Sequence, residues 1–488
     1  MKYSLLLAFL LMSHTTLAAD APALPPGASQ AWTSTDPLIV HARSLVNSGN
    51  LSQAEALLHR QPAQSTAIDE TLETIRRIRQ DYSLSQADLF SKLKPSIRNL
   101  TLADIETWTE SKQLQFRTID GETRYFRREP SNLFRFCPDA IARRLTPAPI
   151  SHEAALLTHL ATIVAEAKST GKTEVVPITH RIHFTLTVPA NTAGAKTGSV
   201  VRAWLPYPQE YRQQSDVKLI SASPGKPLIA ENGAPHRTLY FEQTIKDPTQ
   251  PATFEAVYEY VSHAYYPILD DARVQPLPTD FDPQYLAERP PHIRFSPELK
   301  ATVARIVGDE TNPLAKARKI FHWVDANIRY HAEEEYGIIP SLSEHALKDR
   351  KGDCGVQGTL FITLCRAAGV PARWQSGWET RPDGAYNMHD WSEIYVAPWG
   401  WLPVDPSYGV KKSADPAIRD FYFGHQDSYR MIVNLDYGRE LTPKKHSLRS
   451  EPTDFQRGEV EIDGRNLYFD QYDYDFSFTQ KDGAAERP

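Results

Sequence analysis

Apolar residues recur at two different periods along this 488-residue chain, and the change of period divides it. Leu38, Ala42, Leu45 and Val46 form one helical stripe, and Leu51, Ala54, Leu57 and Leu58 a second, with Asn47-Ser48-Gly49-Asn50 as the turn between them. Leu72, Ile75, Ile78 and Tyr82 predict a helix over 69–82. Two shorter helices follow at 85–93 and 101–112, with Ser85 and Thr101 as N-caps. Alternation then takes over for one hairpin, 114–119 and 123–127, around Asp120-Gly121, a dipeptide suited to a two-residue turn. Leu156, Leu157, Leu160, Ile163 and Val164 return to the helical spacing. Beyond Gly171 the period falls to two. His180–Val188 alternates cleanly, and 199–205, 217–222, 238–241 and 253–261 read as further strands separated by Pro, Gly and Asn. Five to seven short strands over roughly 90 residues predict a β-sandwich.

Residues 265–297 are proline-rich and irregular, a linker. Helical spacing resumes to Val307 and again from Pro313 to about 328, through Ala317, Ile320, Phe321 and Val324. Val356, Leu360, Phe361, Leu364, Ala367 and Ala368 predict a helix that Cys354 opens. His389, Trp391, Glu393 and Tyr395 then alternate with Asp390, Ser392, Ile394 and Val396. Ala397-Pro398-Trp399-Gly400 is a turn, and 401–405 the returning strand. The stretch 429–435 should close this second sheet. The tail from 458 to 478 alternates again through Val460, Ile462, Leu467, Tyr472, Tyr474 and Phe476, and packing against the core is its expected use.

Within this pattern a cysteine, a histidine and an aspartate occupy chemically useful places. The first turn of a helix presents unpaired N–H groups and the positive end of the dipole, which favours a thiolate and can later hold an oxyanion. A hairpin with a three- or five-residue connection centred on Ala397 would set His389 directly across from Asp405, where the carboxylate orients the imidazole. A two-residue turn would put them on opposite faces. Singly, each residue has a structural reading: a core cysteine, a strand histidine, a turn-opening Asp-Pro. Together and in this order they are far more specific.

Asp349-Arg350-Lys351-Gly352-Asp353-Cys354, the helix through Arg366-Ala367-Ala368-Gly369-Val370-Pro371-Ala372-Arg373, His389-Asp390-Trp391-Ser392-Glu393 and Gly400-Trp401 to Val404-Asp405-Pro406 together resemble the transglutaminase-like superfamily; Trp323-Val324 and Asn327-Ile328-Arg329-Tyr330 resemble its lead-in helix. Arg202-Ala203-Trp204-Leu205-Pro206 resembles a strand found upstream of that core in bacterial relatives. The resemblance implies a papain-like core with Cys354 as nucleophile, His389 as base and acid, and Asp405 as orienter. It implies no cofactor. Asp390 departs from the pattern, which favours a small residue before the tryptophan. The Cys354 N–H and one side chain, Tyr330 or Trp323, would form the oxyanion site; Trp391 and Tyr330 would contact substrate, and Trp378 would help wall the cleft. Such a triad transfers the acyl group of an amide to water or to an amine. The expected reaction is hydrolysis of a peptide or protein amide; the alternatives are glutamine transamidation and a non-catalytic binding or structural protein of the same fold.

Composition narrows this reading. Charged residues make up 23% and the formal net charge is −6, so a large electrostatic footprint for nucleic acid is absent, although the helices and hairpin of the first part, with Arg124, Arg127, Arg128 and Arg135, have a winged-helix-like arrangement. Met1-Lys2, an apolar run to Met12 and small residues at Ala18-Ala19 read as a secretory leader, too short to span a bilayer. The expected location is therefore exported, periplasmic or extracellular, with no membrane span in the mature protein. The three cysteines are Cys137, Cys354 and Cys365; the last lies about 16 Å along the helix from Cys354, leaving Cys137–Cys365 as the bridge compatible with a free nucleophile. No metal-ligand spacing is present, and Glu333-Glu334-Glu335 reads as a solvated loop. The expected organisation is α+β and multidomain: signal peptide 1–19, flexible leader 20–36, helical domain with a hairpin 37–175, β-sandwich 176–265, linker 266–295, transglutaminase-like core 296–440 and β-rich tail 441–488.

Overall fold

The computed structural model describes residues 29–61, 65–147, 152–381 and 383–482. The secretory leader read at 1–19 lies outside them. The segment read as a flexible leader is anchored where it is described: Gln30–Thr33 is helical, and the Trp32 indole donates to the Gly337 carbonyl at 3.1 Å.

The first part is helical, as its spacing predicts. Pro37–Asn47 and Leu51–His59 form the expected hairpin, and Thr66–Asp81 packs Ile68, Ile75 and Ile78 against them. Gln86–Leu93 and Leu102–Glu110 each begin with a reciprocal capping box, Ser85 with Asp88 and Thr101 with Asp104. Phe116–Ile119 pairs with Glu122–Tyr125 through Asp120-Gly121, both at positive φ (48° and 88°), the geometry of a type I′ turn. Arginines on and after this hairpin are committed within the chain: Arg117 pairs with Glu334, Arg124 with Glu122, and Arg127 with Asp81 and Glu335.

Two sheets form the sandwich, and the C-terminal strands complete both. One sheet runs Arg465–Leu467, Glu459–Ile462, Val200–Pro206, Thr238–Thr244, Leu228–Ile229; the other runs Asp473–Asp482, Glu174–Val188, Ala252–Tyr265, Gln214–Ser223. The tail therefore extends the sandwich by main-chain pairing. Ahead of its first strand, 449–458 crosses to the core, where Asp454 accepts from Ser376 and Gln456 donates to the Gly377 carbonyl.

In the core, Gly400–Val404, Tyr386–Val396, Ala372–Thr380 and Arg430–Asn434 form an antiparallel sheet in that order. The helix Cys354–Ala367 lies against it and is buried at every position through Arg366, enclosed on its other sides by Pro297–Val307, Pro313–Asn327 and Leu342–Asp349. At Gly377 the sheet bulges. A Cβ there would lie 1.9 Å from the Met431 carbonyl oxygen, so only glycine permits this strand contact.

The acidic run corrects its reading as a solvated loop. Glu333 and Glu334 are each 4% exposed. Glu334 accepts from Tyr82, Gln115 and Arg117; Glu335 pairs with Arg127 and Arg457; Glu333 sits between His331 and His345. The run thus ties the helical part, the core and the tail together. Burial alone would raise the Glu335 carboxyl, but Arg457 and Arg127 overcome it and hold its pKa at about 2.

Two outcomes follow. Gly377→Ala should destabilise the fold by about 2–3 kcal/mol, read as a lower urea midpoint with an unchanged slope. Because Glu335 has a depressed folded pKa, its stabilisation is present above its unfolded value of about 4.3 and is lost as pH falls toward about 2. Glu335→Gln should therefore cost on the order of 2 kcal/mol at pH 7, with the gap to the parent narrowing between pH 5 and pH 2 in urea titrations.

Candidate active site

The helix Cys354–Ala367 is capped by Asp353, whose carboxylate accepts the Val356 N–H at 3.2 Å, leaving Cys354 as the first helical residue. Glycines shape the space around it. A Cβ on Gly352 would meet Val356 Cγ1 at 2.5 Å; one on Gly355 would meet the Tyr336 hydroxyl at 2.2 Å and Asp390 Oδ2 at 2.7 Å. The bare first turn is what lets those two polar groups rest beside the thiol. Cys354 is 7% exposed and lines a cavity of about 120 Å³ with Arg128, Tyr330, Asp353, Asp390, Asp454 and Arg457.

His389 and Asp405 meet as the alternation requires, with one change of register. Val396 pairs with Gly400 and Ser392 with Val404, so the connection has three residues, Ala397-Pro398-Trp399, and is centred on Pro398 rather than Ala397. The shift displaces the pair along the strands by two residues and preserves the face: Asp405 lies diagonally to His389, and Nε2 reaches Asp405 Oδ2 at 2.6 Å. A carboxylate accepts only, so Nε2 carries the hydrogen and Nδ1 is left as the proton-accepting atom of the neutral ring. Asp405 Oδ1 accepts from the Ser407 hydroxyl and the Tyr408 N–H, both at 3.0 Å, and Arg430 lies 3.3 Å from Oδ2, the oxygen that His389 meets. Burial works to raise this carboxyl, but His389, Arg430 and the Tyr408 N–H prevail and hold it well below the carboxylate range. Tyr408 also packs edge-on against the imidazole at 5.1 Å between ring centres.

Cys354 itself differs from the expectation of an acidified thiol. Its hydrogen bond goes to Asp390 Oδ2 at 3.4 Å, not to His389. Burial first, then the charges of Asp390 and Asp353, push the thiol well above its ordinary value, against the opposing pull of the Asp390 backbone N–H. Asp353 is itself raised to about 7, by burial and by Glu333, against the Val356 N–H and the Tyr336 hydroxyl.

The remaining assignments divide. Tyr330 is 36% exposed and lines the cavity; its strand Arg329–Tyr330 pairs with Lys351–Gly352 just before the cysteine. Trp391 is completely buried, with its indole donating to Gln375 Oε1 at 2.7 Å, so it backs the His389 strand and offers no surface to a substrate. Trp378 is likewise buried, stacked on Phe476 at 4.1 Å in the sandwich. Trp323 packs on the core under the Arg350 guanidinium, away from the cavity lining. All three cysteines are free. Tyr336, Asp454 and Gln456 escape sequence reasoning; the local signal for such a close approach is the glycine at position 355, second residue of the buried helix. Among the described residues no group of three or more His, Cys, Asp or Glu is arranged to hold a metal ion, and no helix is long and apolar enough to cross a membrane.

An uncharacterized protein of Haemophilus influenzae is 27% identical over 233 residues, 41% of this chain and 63% of that protein. YebA of Bacillus subtilis, also uncharacterized, is 25% identical over 137 residues, 24% of this chain and 18% of its own length. A protein-glutamine gamma-glutamyltransferase of Pseudomonas aeruginosa is 37% identical over 70 residues, 12% of this chain and 10% of that protein. The chain thus spans less than two thirds of the length of each of these curated relatives. Two solved structures are also similar: a candidate cysteine protease from Cytophaga hutchinsonii (TM-score 0.42, 14% identity, 64% of this chain and 94% of that one) and the periplasmic domain of TgpA from Pseudomonas aeruginosa (TM-score 0.24, 17% identity, 52% and 96%). Residues 300–406 match the model of the transglutaminase-like superfamily, a span that takes in Cys354, His389 and Asp405, and this part of the chain is a transglutaminase-like core.

Proposed function

We propose that this protein is an exported, thiol-dependent enzyme that hydrolyses amide bonds of a peptide or protein, with Cys354 as nucleophile, His389 as general base and acid, and Asp405 as the group that orients the ring. The observation that carries this reading is the buried 2.6 Å bond from His389 Nε2 to Asp405, made on the strand whose next residue touches the Cys354 sulfur. With Nε2 so engaged, Nδ1 accepts the thiol proton as Sγ attacks the carbonyl carbon. The oxyanion forms beside the N–H groups of the first helical turn, which have no acceptor within the helix. The tetrahedral intermediate collapses to a thioester as the imidazolium returns its proton to the leaving amine. Water then gives a proton to Nδ1 and attacks the thioester; the thiolate leaves and is reprotonated.

Hydrolysis is favoured over transfer by the walls of the cleft. Transfer needs water kept out, and this cavity is lined by Arg128, Glu333, Asp353, Asp390, Asp454 and Arg457. The same carboxylates make amine transfer the second reading, since they suit an ammonium group on an acceptor.

Release of ammonia or amine from peptide amides, including cell-wall peptides, should fall by about a thousandfold or more in Cys354→Ala and His389→Ala and by less in Asp405→Asn. Unchanged release in Cys354→Ala would end the reading. With a labelled primary amine present, the product acyl group should go to water; predominant incorporation of the amine would select transfer instead. Fractionation of expressing cells should place the protein beyond the inner membrane, and a cytoplasmic location would remove export from the proposal.

A further inference from the structure

Asp390, the residue at which this sequence departs from the family pattern, has a role that the Cys-His-Asp set does not include. That role rests on the reading of Cys354 as nucleophile. The Asp390 carboxyl is met by side chains from three other elements. From the nucleophile helix, Cys354 Sγ donates to Oδ2 at 3.4 Å. From the loop that carries the acidic run, the Tyr336 hydroxyl lies 3.0 Å from the same oxygen and 2.9 Å from Oδ1 of the N-cap Asp353. From the tail, Gln456 Nε2 donates to Oδ1 at 2.8 Å, and the Asp454 carboxyl lies within hydrogen-bonding reach. Asp454 in turn accepts at Oδ1 from the Ser376 hydroxyl at 2.6 Å and Asn434 Nδ2 at 2.9 Å. Its Oδ2 is buried and finds no donor.

Counting protons across these contacts shows a deficit. The Tyr336 hydroxyl has one hydrogen and faces two carboxyls. Asp390 and Asp454 face each other, and carboxylates bring no hydrogen at all. Neither is within ion-pair distance of a lysine, arginine or histidine among the described residues; across the cavity Arg457 is committed to Glu335 and stands 3.9 Å from Glu451, which also lines the space. Asp353, Glu333, Glu334, Glu335, Glu459 and Arg128 also line this cavity, and His389 stands beside Asp390 on its own strand, bonded to Asp405. Arg449 stands beside Asp454, donating to its main-chain carbonyl at 2.7 Å, and draws that carboxyl down only in part; two ionised carboxylates this deeply buried, in contact and with no ion pair to either, are a costly arrangement that one added proton relieves.

We propose that Asp390 and Asp454 hold a single proton between them and that this shared proton sets whether Cys354 can ionise. While it is held, Asp390 is uncharged and the sulfur can pass its proton to His389 Nδ1. When it is lost, a carboxylate 3.4 Å from the sulfur keeps the S–H intact. Burial followed by the charge of Asp454 moves Asp390 well above the carboxylate range, and Asp454 is raised as well, chiefly by burial, so the proton is retained at pH values where ordinary carboxyls have lost theirs. The pair thus makes the nucleophile less acidic as pH rises through its own titration.

The test is the pH profile of Cys354 alkylation by iodoacetamide in the full chain, followed by mass spectrometry of the Cys354 peptide. Asp390→Asn removes the negative charge permanently; above the titration of the pair the apparent thiol pKa should drop by about one unit or more, seen there as ~10-fold faster alkylation at a pH still below both thiol values. Asp454→Asn supplies an amide donor in place of a charge, which favours ionised Asp390, so the thiol pKa should rise and alkylation slow. Loss of packing would not move two isosteric variants in opposite directions. Profiles that overlay the parent, or that move the same way, would overturn the proposal. If one variant fails to fold by circular dichroism, the direction of the other decides. Absence of alkylation at Cys354 in every form and at every pH would instead overturn the nucleophile reading on which the proposal stands.

Discussion

A helix enclosed along its whole length can offer chemistry only at an end. Cys354–Ala367 is buried at every position through Arg366, with a sheet on one side and three helices around the rest. A reactive thiol on this element must therefore sit in the first turn, where the unpaired N–H groups and the cap are also found. The other features of the site are arranged about that terminus. Asp353 caps it, Gly355 leaves room against it, and Tyr336 and Asp390 fill the room. The His389–Asp405 pair comes from the neighbouring sheet, whose register brings Gly377 opposite His389.

Distant parts of the chain maintain this terminus. The loop carrying Tyr336 also carries Glu333, Glu334 and Glu335. Those three are held by His345 of the core, by Tyr82, Gln115, Arg117 and Arg127 of the helical part, and by Arg457 of the tail. Breaking one partner of such a buried pair leaves a charge uncompensated. Accordingly, the helical part and the tail act on the site through the placement of Tyr336, Asp454 and Gln456 rather than by supplying nucleophile or base. The sandwich gains strands from the tail, which fixes where 449–458 crosses the core.

What the sequence revealed follows from which interactions are periodic. The apolar stripe after Cys354, the alternation through His389 and the odd connection before Asp405 are local, and all three are found in the structure. The centre of the hairpin moved from Ala397 to Pro398 because apolar alternation fixes the face of a strand but not the residue at the turn. Alternation also misled at Trp391: both faces of this sheet are covered, so its large aromatic side chains are core on either side. The acidic run was illegible for a different reason. Apart from His331, the partners named above lie 12 to 252 residues away, and no local pattern distinguishes a charge that will be solvated from one that will meet an arginine on folding. The same holds for Asp390, whose place next to the thiol is visible in sequence but whose partner Asp454 is not.

The account depends on a covalent bond between substrate and the Cys354 sulfur. Its most direct measurement is intact-mass and peptide mass spectrometry of the enzyme quenched in acid shortly after mixing with an activated acyl ester. The account predicts an acyl adduct on the Cys354 peptide that forms rapidly, turns over with water, and accumulates far more slowly in His389→Ala. An adduct on another residue, or full turnover of the ester by a Cys354→Ala chain, would contradict it.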